Sequence, residues 1–240
     1  MKFQSIIFVA LTTVALPVLS QNNTVVERTF ACSLINGFAI SDAVAVMRAF
    51  EWDDNTAPGA VFVREAVYGS TQFREDWDFV VNLYYPSMVD LIEKRLAFRA
   101  RTGGSEGYNL QDVASCSNAP RLNTVDFVQG QGSGGDIPDF TSVISTTCER
   151  DGAPMQGVMA AAQNIANLMG PGLRNVQIIN RQFGGPTQTM ASRVGYRIVF
   201  NSTDDFAMAM DALRSNQPEQ TPNCNVPSGW AGYRIYTRNN

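Results

Sequence analysis

Apolar residues along this chain recur with two periods, and the two alternate in a fixed order. Arg28 to Leu34 has an extended pattern, contains Cys32 and leads to the turn pair Asn36-Gly37. Ser41 and Asp42 are helix-opening residues, and beyond them Ala43, Val46, Met47 and Phe50 fall three and four apart on one helical face. Pro58-Gly59 marks a turn into Ala60–Tyr68, a β-rich run stopped at Gly69, and Trp77 to Tyr85 is a second such run. Pro86-Ser87 starts another helix, with Ser87 and Asp90 as a variant of the capping box and Met88, Leu91 and Ile92 on its apolar side. A polar, Gly-rich loop (Thr102 to Gly107), Cys116 and a strand over Asn123 to Val128 complete the series.

The same order then returns. Phe140 to Thr147 is extended and is followed by Cys148 and the turn Asp151-Gly152. Pro154 suits a first helical turn, and Met155, Val158, Met159, Ala162, Ile165, Ala166 and Met169 form a long apolar stripe. Pro171-Gly172 stands where Pro58-Gly59 stood. Val176 lies eight residues before Gly184, as Val61 lies eight before Gly69. Val194 to Phe200 is the next strand, Thr203 and Asp204 cap a helix bearing Phe206, Ala209, Met210 and Leu213, and Cys224 precedes a last strand, Gly232 to Thr237.

Each series reads β-α-β-β-α-β, so the predicted fold class is α+β: tandem ferredoxin-like repeats, residues 21–128 and 140–240, joined by a Gly-rich linker at 129–139. Right-handed crossovers place both helices of a repeat on one sheet face. Packing sheet to sheet, as a pseudo-dimeric α+β barrel, would bury the other face. The four cysteines sit at matching points, Cys32 and Cys148 at the end of strand one and Cys116 and Cys224 just before strand four. Strands one and four are neighbours in this order, so Cys32–Cys116 and Cys148–Cys224 are the pairings both repeats make by one geometry. The rival, Cys32–Cys148 with Cys116–Cys224, would staple the repeats together.

The N-terminus adds a compartment. Lys2, an uncharged apolar run from Ile6 to Leu16 and the Val18-Leu19-Ser20 end read as a signal peptide over 1–20. The expected location is therefore periplasmic or secreted, where cysteines pair. No later run is long and apolar enough for a membrane helix, so no membrane association is expected after cleavage. A net charge of −4 without a basic cluster argues against nucleic acid as partner. The chain has no histidine, which removes the usual neutral-pH base and the commonest metal and haem ligand. No metal and no cofactor are expected.

Candidate chemistry is sparse. Gly130-Gln131-Gly132-Ser133-Gly134-Gly135 matches a phosphate-binding Gly motif formally, but no helix follows it to receive a phosphate, and it reads as linker. The sequons at Asn22 and Asn201 would carry glycans only in a eukaryote, and Asn201 also suits a strand-to-helix junction. In Ala60–Tyr68, alternation puts Val61, Val63, Glu65 and Val67 on one face and Phe62, Arg64, Ala66 and Tyr68 on the other, so a charged group is buried on either choice. A buried Glu65 would be a base without histidine, although an ion pair is the commoner role for such a residue. Trp77 and Asp78, and Trp52 among acids, would line a ligand mouth or merely plug a rim. The second series has Ile179 and Asn180 at the positions of Arg64 and Glu65, with Arg181 next, and no matching tryptophan, so any site is expected in the first. Met155, Met159, Met169, Met208 and Met210 read as core filler.

The doubled β-α-β-β-α-β order, with its matched Val-to-Gly spacing, resembles the dimeric α+β barrel superfamily in a fused form, over nearly all of residues 28–238. That superfamily includes the antibiotic-biosynthesis monooxygenase-like and stress-responsive barrel families. The resemblance is topological and implies a small, often aromatic molecule held between sheet and helices, cofactor-free oxygenase or isomerase chemistry in some members and haem in others. A His-ligated haem is out of reach here. The leading expectation is an exported barrel that binds a small apolar ligand or a protein, monomeric because its pseudo-dimer is internal. The alternative is a cofactor-independent oxygenase- or isomerase-like enzyme using Glu65 or Asp78 as base, with Arg64, Arg181 or Arg197 stabilising an anion. A purely structural surface module is a third reading.

Overall fold

Strand β1 (Thr24–Leu34) sets Val25, Glu27 and Thr29 on one face and Val26, Arg28, Phe30 and Cys32 on the other. Both faces are covered, and the rest of the fold follows from how. The structure is a computed structural model that describes residues 24–68, 76–103, 108–129, 137–149, 155–170, 172–184, 193–215 and 227–238. The expected signal peptide, the Asn22 sequon, the Gly-rich motif at 130–135 and Cys224 lie outside the described residues.

After β1 come α1 (Ile40–Arg48), β2 (Ala60–Tyr68), β3 (Phe79–Tyr85), α2 (Met88–Thr102), a 3-10 turn (Leu110–Asp112), β4 (Ala114–Cys116) and β5 (Arg121–Gln129). The second half supplies β6 (Phe140–Glu149), α3 (Met155–Met169), β7 (Leu173–Phe183), β8 (Arg193–Phe200), α4 (Thr203–Ser215) and β9 (Ser228–Thr237). Strand order within the first half is β5-β1-β3-β2 and within the second β9-β6-β8-β7. The sequence predicts an α+β barrel, and the barrel is present, but not by the expected packing of two sheets face to face. Instead, β2 hydrogen-bonds β9 and β5 hydrogen-bonds β7, so eight antiparallel strands close into a barrel. Edge strands with unpaired amides and carbonyls are satisfied best by each other, and closure leaves neither edge open. Register shifts in β2–β9, β5–β7 and β7–β8 supply the curvature.

Two clusters on the outside of the barrel form the main core. Val26, Val61, Val63, Phe79, Val81 and Leu83 receive Met47 of α1 and Leu91 and Phe98 of α2. Val176, Ile178, Val194, Ile198 and Phe200 receive Ala162, Ala166 and Met169 of α3 and Ala209 of α4. Fully buried side chains such as Phe79 and Phe200 contribute roughly 1.5–3 kcal/mol each. The methionine expectation needs correction: Met169 is buried, but Met159, Met208 and Met210 are exposed. The buried line of α4 runs through Phe206 and Ala209, which leaves Met208 and Met210 to either side of it.

Local signals also shift. The Ala39 amide donates to Asp42 at the start of α1, and Ser87 accepts from the Asp90 amide as its sequence suggests. At α4 the cap is Ser202, one residue earlier than predicted, which accepts from the Asp205 amide and donates to its carboxylate. Cys116 does not merely precede the last strand of the first half. It ends β4, which pairs with Cys32–Leu34 on the edge of β1 whose earlier part, Thr24–Thr29, pairs with β5.

Gly184 ends β7 at φ +75°, and a Cβ there would collide with the Pro120 carbonyl oxygen. Gly103 closes α2 at φ +65° with open space around it. Gly103→Ala therefore meets the left-handed penalty alone, about 1–2 kcal/mol. Gly184→Ala adds the clash and is expected to lower Tm further, by roughly 5–10 °C in all, on a calorimetric scan.

Candidate functional site

The inward residues of β1, β2, β3, β5, β7 and β8 meet at the barrel axis. Glu27 is fully buried there and accepts from Asn82 Nδ2, Asn123 Nδ2 and Arg197 Nη1, each at 2.9 Å. Arg64 places Nη1 3.9 Å from the same carboxylate and donates to Asn82 Oδ1. Arg197 Nη1 also donates to the Tyr84 hydroxyl at 2.6 Å and to Gln177 Oε1 at 2.8 Å. Phe62, Tyr84 and Val125 pack as the apolar part of this interior.

Burial acts most strongly on Glu27 and by itself would raise its pKa. The guanidiniums of Arg197 and Arg64 and the hydrogen bonds from Arg197 and Asn123 outweigh it and hold the carboxyl at about 2. Burial pushes Arg64 down, and Arg197 is held up by Glu27 against the same effect. A carboxylate that gives up its proton near pH 2 is no general base at neutral pH. The network is an internal ion triad that joins Glu27, Arg64, Asn82 and Asn123 of the first half to Gln177 and Arg197 of the second.

On the outer face of the first half, a half-open cavity of about 550 Å³ is bounded by β1, β3, α2, the 3-10 turn and β4. Phe30, Val81 and Leu110 give it an apolar wall, Arg28, Arg95 and Tyr108 line it with polar groups, and Cys116 of the Cys32–Cys116 disulfide forms one side. Arg28 is buried with its guanidinium 4.4 Å above the Phe30 ring. Beside the cavity Tyr85 is pushed up to about 12 by burial, against the pull of Arg28, a hydrogen bond with Tyr108 and the pull of Arg95, while Asp90 pushes the other way. Tyr108 (φ +46°) and Asn109 (φ +62°) both stand in the left-handed region. Each costs of order 1–2 kcal/mol, offset by burial of Tyr108 and Leu110. Behind Tyr108, Trp52 is sandwiched between the Tyr108 and Tyr236 rings, 5.3 Å from each.

The residues singled out from sequence disperse. Arg64 and Arg197 meet in the barrel. Glu65 points to the opposite face of β2, half-buried, and accepts from the Tyr233 hydroxyl at 3.3 Å. Asp78 is exposed and accepts from the Leu34 amide at 2.7 Å, with Trp77 half-buried beside it. Asn180 donates to Asp126 at 3.3 Å on the outside of β7, and the Arg181 side chain lies outside the described residues. Trp52 touches the cavity only through Tyr108. Of these residues, the seven with described side chains do not line the cavity. Sequence reasoning missed Glu27, Arg28, Arg95 and Tyr108. The alternation of Val25, Glu27 and Thr29 against Val26, Arg28 and Phe30 is the signal that would have found the first two. Cys32 and Cys116 are bonded, Cys148 is also disulfide-bonded, and its expected partner Cys224 lies outside the described residues.

No family model matches the chain, and no curated protein matches it. Among solved structures it is similar to a candidate monooxygenase from Fusobacterium nucleatum (10% identity, TM-score 0.49, covering 89% of this chain and 93% of that one). It is also similar to an anthrone oxidase-like protein (12%, 0.46, 91% and 94%) and to a variant of the chlorite dismutase from Candidatus Nitrospira defluvii (11%, 0.47, 90% and 92%). The strand order, the closure and the helices on the outer face make a closed antiparallel α+β barrel with two halves of ferredoxin-like strand order. Here one chain forms the whole barrel.

Proposed function

We propose that this is an exported, disulfide-stabilised barrel, built from two diverged βαββαβ units, that binds a small apolar molecule in the cavity of its first half. The observation that carries the reading is the cavity itself: about 550 Å³, walled by Phe30, Val81 and Leu110, with no carboxylate among the described residues that line it. Its chemistry suits holding a ligand. A carboxylate-base enzyme needs an acid side chain at the ligand, whereas Glu27 is ion-paired inside the barrel and Glu65 lies on another face. Export rests on the basic-then-apolar N-terminus and on cysteines that are paired, as an oxidising compartment favours. Among the described residues no helix is long and apolar enough to cross a membrane. Barrel closure within one chain is consistent with a monomer.

The neutral fluorophore N-phenyl-1-naphthylamine is expected to bind with a Kd in the micromolar range and to brighten on entry. Ser115 is exposed and lines the cavity, so Ser115→Trp fills the space at little cost to the fold and abolishes the signal. Native mass spectrometry of protein purified from its source should show a retained small molecule. Unchanged fluorescence in the wild type, with no retained molecule, would sink the proposal.

A further inference from the structure

We infer that the mouth of the cavity is a lipid-docking face: the outward side of α2 and the turn after β1 rest on a bilayer surface, and the cavity takes its apolar molecule from there. The inference rests on the reading of the cavity as a binding site and adds the source of its occupant.

The sequence places Ile92 on the buried side of α2, and the structure turns it outward. Leu91 and Phe98, seven residues apart, form the buried line of the helix. Val89, Ile92 and Leu96 follow the spacing of three and four on the far side, with Val89 and Leu96 each 63% exposed and Ile92 51%. A surface helix ordinarily keeps that side polar. The stripe borders the cavity, because Arg95 lines the cavity and Ile92 lies one helical turn before Arg95 on the helix surface. Ile35 also lines the cavity and is exposed, as is Phe38 in the turn that follows it. The half-open cavity therefore has exposed apolar side chains at its rim as well as an apolar wall. An apolar molecule would cross from a bilayer into it without passing through water.

The edges of the stripe suit a headgroup layer. Arg95 and Arg99 stand one turn apart on the side of the cavity, and Glu93 stands on the other side. Both arginines already make contacts within the protein, and no free charge is required of them. Their long side chains serve as interfacial ones do, with apolar stems along acyl chains and heads among the headgroups. The start of the chain points to the same place. Val26 lies opposite Tyr85 and α2 begins at Met88, so the segment carrying the apolar run Ile6 to Leu16 joins the fold beside the start of α2. In an exported precursor that run enters the membrane, and α2 is the helix next to it. A second copy fits less well: the stripe from Val89 to Leu96 is about 10 Å long, too short to bury the roughly 800 Å² per partner of a stable dimer. Lying on a bilayer needs no spanning helix, and none is present among the described residues.

Flotation of the mature full chain with vesicles of phosphatidylcholine and a minority of phosphatidylglycerol tests the face, while N-phenyl-1-naphthylamine in vesicle-free buffer reports on the cavity. The wild type should float. Leu96 is exposed and does not line the cavity, so Leu96→Asp should keep the wild-type melting temperature and fluorophore affinity. It is expected to float about tenfold less, and Val89→Asp should behave in the same way. A wild type that binds the fluorophore but does not float, or variants that float as the wild type does, would overturn the docking face and leave the cavity reading standing. So would a wild-type dimer in sedimentation velocity that Leu96→Asp converts to monomer, since the stripe then belongs to a second copy. Failure to bind the fluorophore overturns the cavity reading, and the loading of the cavity from the bilayer with it.

Discussion

Glu27→Gln destabilises the protein by about 3–5 kcal/mol, the range for removing one partner of a buried ion pair. The cause is what remains. Arg64 and Arg197 lie inside the barrel with no counter-charge, and the Gln amide keeps one acceptor oxygen while its NH2 group meets at least one of the donors from Asn82, Asn123 and Arg197. The loss has a pH signature. Glu27 is held at about 2 when folded, against 4.5 as its ordinary value, so its contribution is fully present above pH 4.5 and fades as the pH falls towards 2. Over that window the wild type should lose about 3 kcal/mol of unfolding free energy on this account, and the slope should be much flatter in Glu27→Gln. Urea titrations between pH 2.5 and 7 read both effects. Glu27→Leu combined with Arg64→Met and Arg197→Met should recover much of the loss, because an apolar interior of similar volume no longer requires the triad. A single Glu27→Gln variant with wild-type stability at pH 7 would show that water reaches the barrel axis and that the triad contributes little.

That triad also shows where sequence reading stops. Alternation in Ala60–Tyr68 identified that a charge must be buried there, and Arg64 is buried. It did not identify the partner, because Glu27 is contributed by a strand whose pattern starts at Thr24, four residues before the extended stretch begins to look regular. Period-2 reading assigns residues to faces but does not say which face looks inward, since that depends on which edges pair. Closure through β2–β9 and β5–β7 decides it, and these contacts join residues at least 46 positions apart. The α+β class and the strand order within each half needed only local periods and turn residues such as Pro58-Gly59. Strand β4 escaped because three residues carry no period. The cavity escaped for a related reason: its lining comes from β1, β3, α2, the 3-10 turn and β4, and Arg28, Arg95 and Tyr108 belong to no common motif. Tyr108 is placed by a left-handed turn that a tyrosine does not announce. Of the residues that did stand out, Trp52 stacks on Tyr108 and Asp78 accepts from the Leu34 amide, and neither these two nor Trp77 lines the cavity.

The Cys32–Cys116 bond should matter nearly as much to stability and more to binding. It closes a loop of 84 residues, for which chain entropy gives roughly 4–5 kcal/mol as an upper figure. Cys32→Ala with Cys116→Ala is expected to realise much of that, since Cys32 is fully buried in the first-half core and its loss also leaves a small void. The damage should be unevenly spread. Strand β1 retains its pairings with β3 and β5, whereas β4 has three register pairs with β1 and packs beside the 3-10 turn. Without the disulfide, β4 separates first and releases the turn that carries Tyr108 and Leu110, so the cavity loses one side before the barrel opens. Hydrogen exchange followed by mass spectrometry should therefore accelerate across 108–116 well below the global transition and leave 140–149 unchanged. Affinity for N-phenyl-1-naphthylamine should fall over the same range of denaturant. Exchange that rises together in both segments would mean that the bond secures the barrel as a whole, with the cavity merely lying beside it.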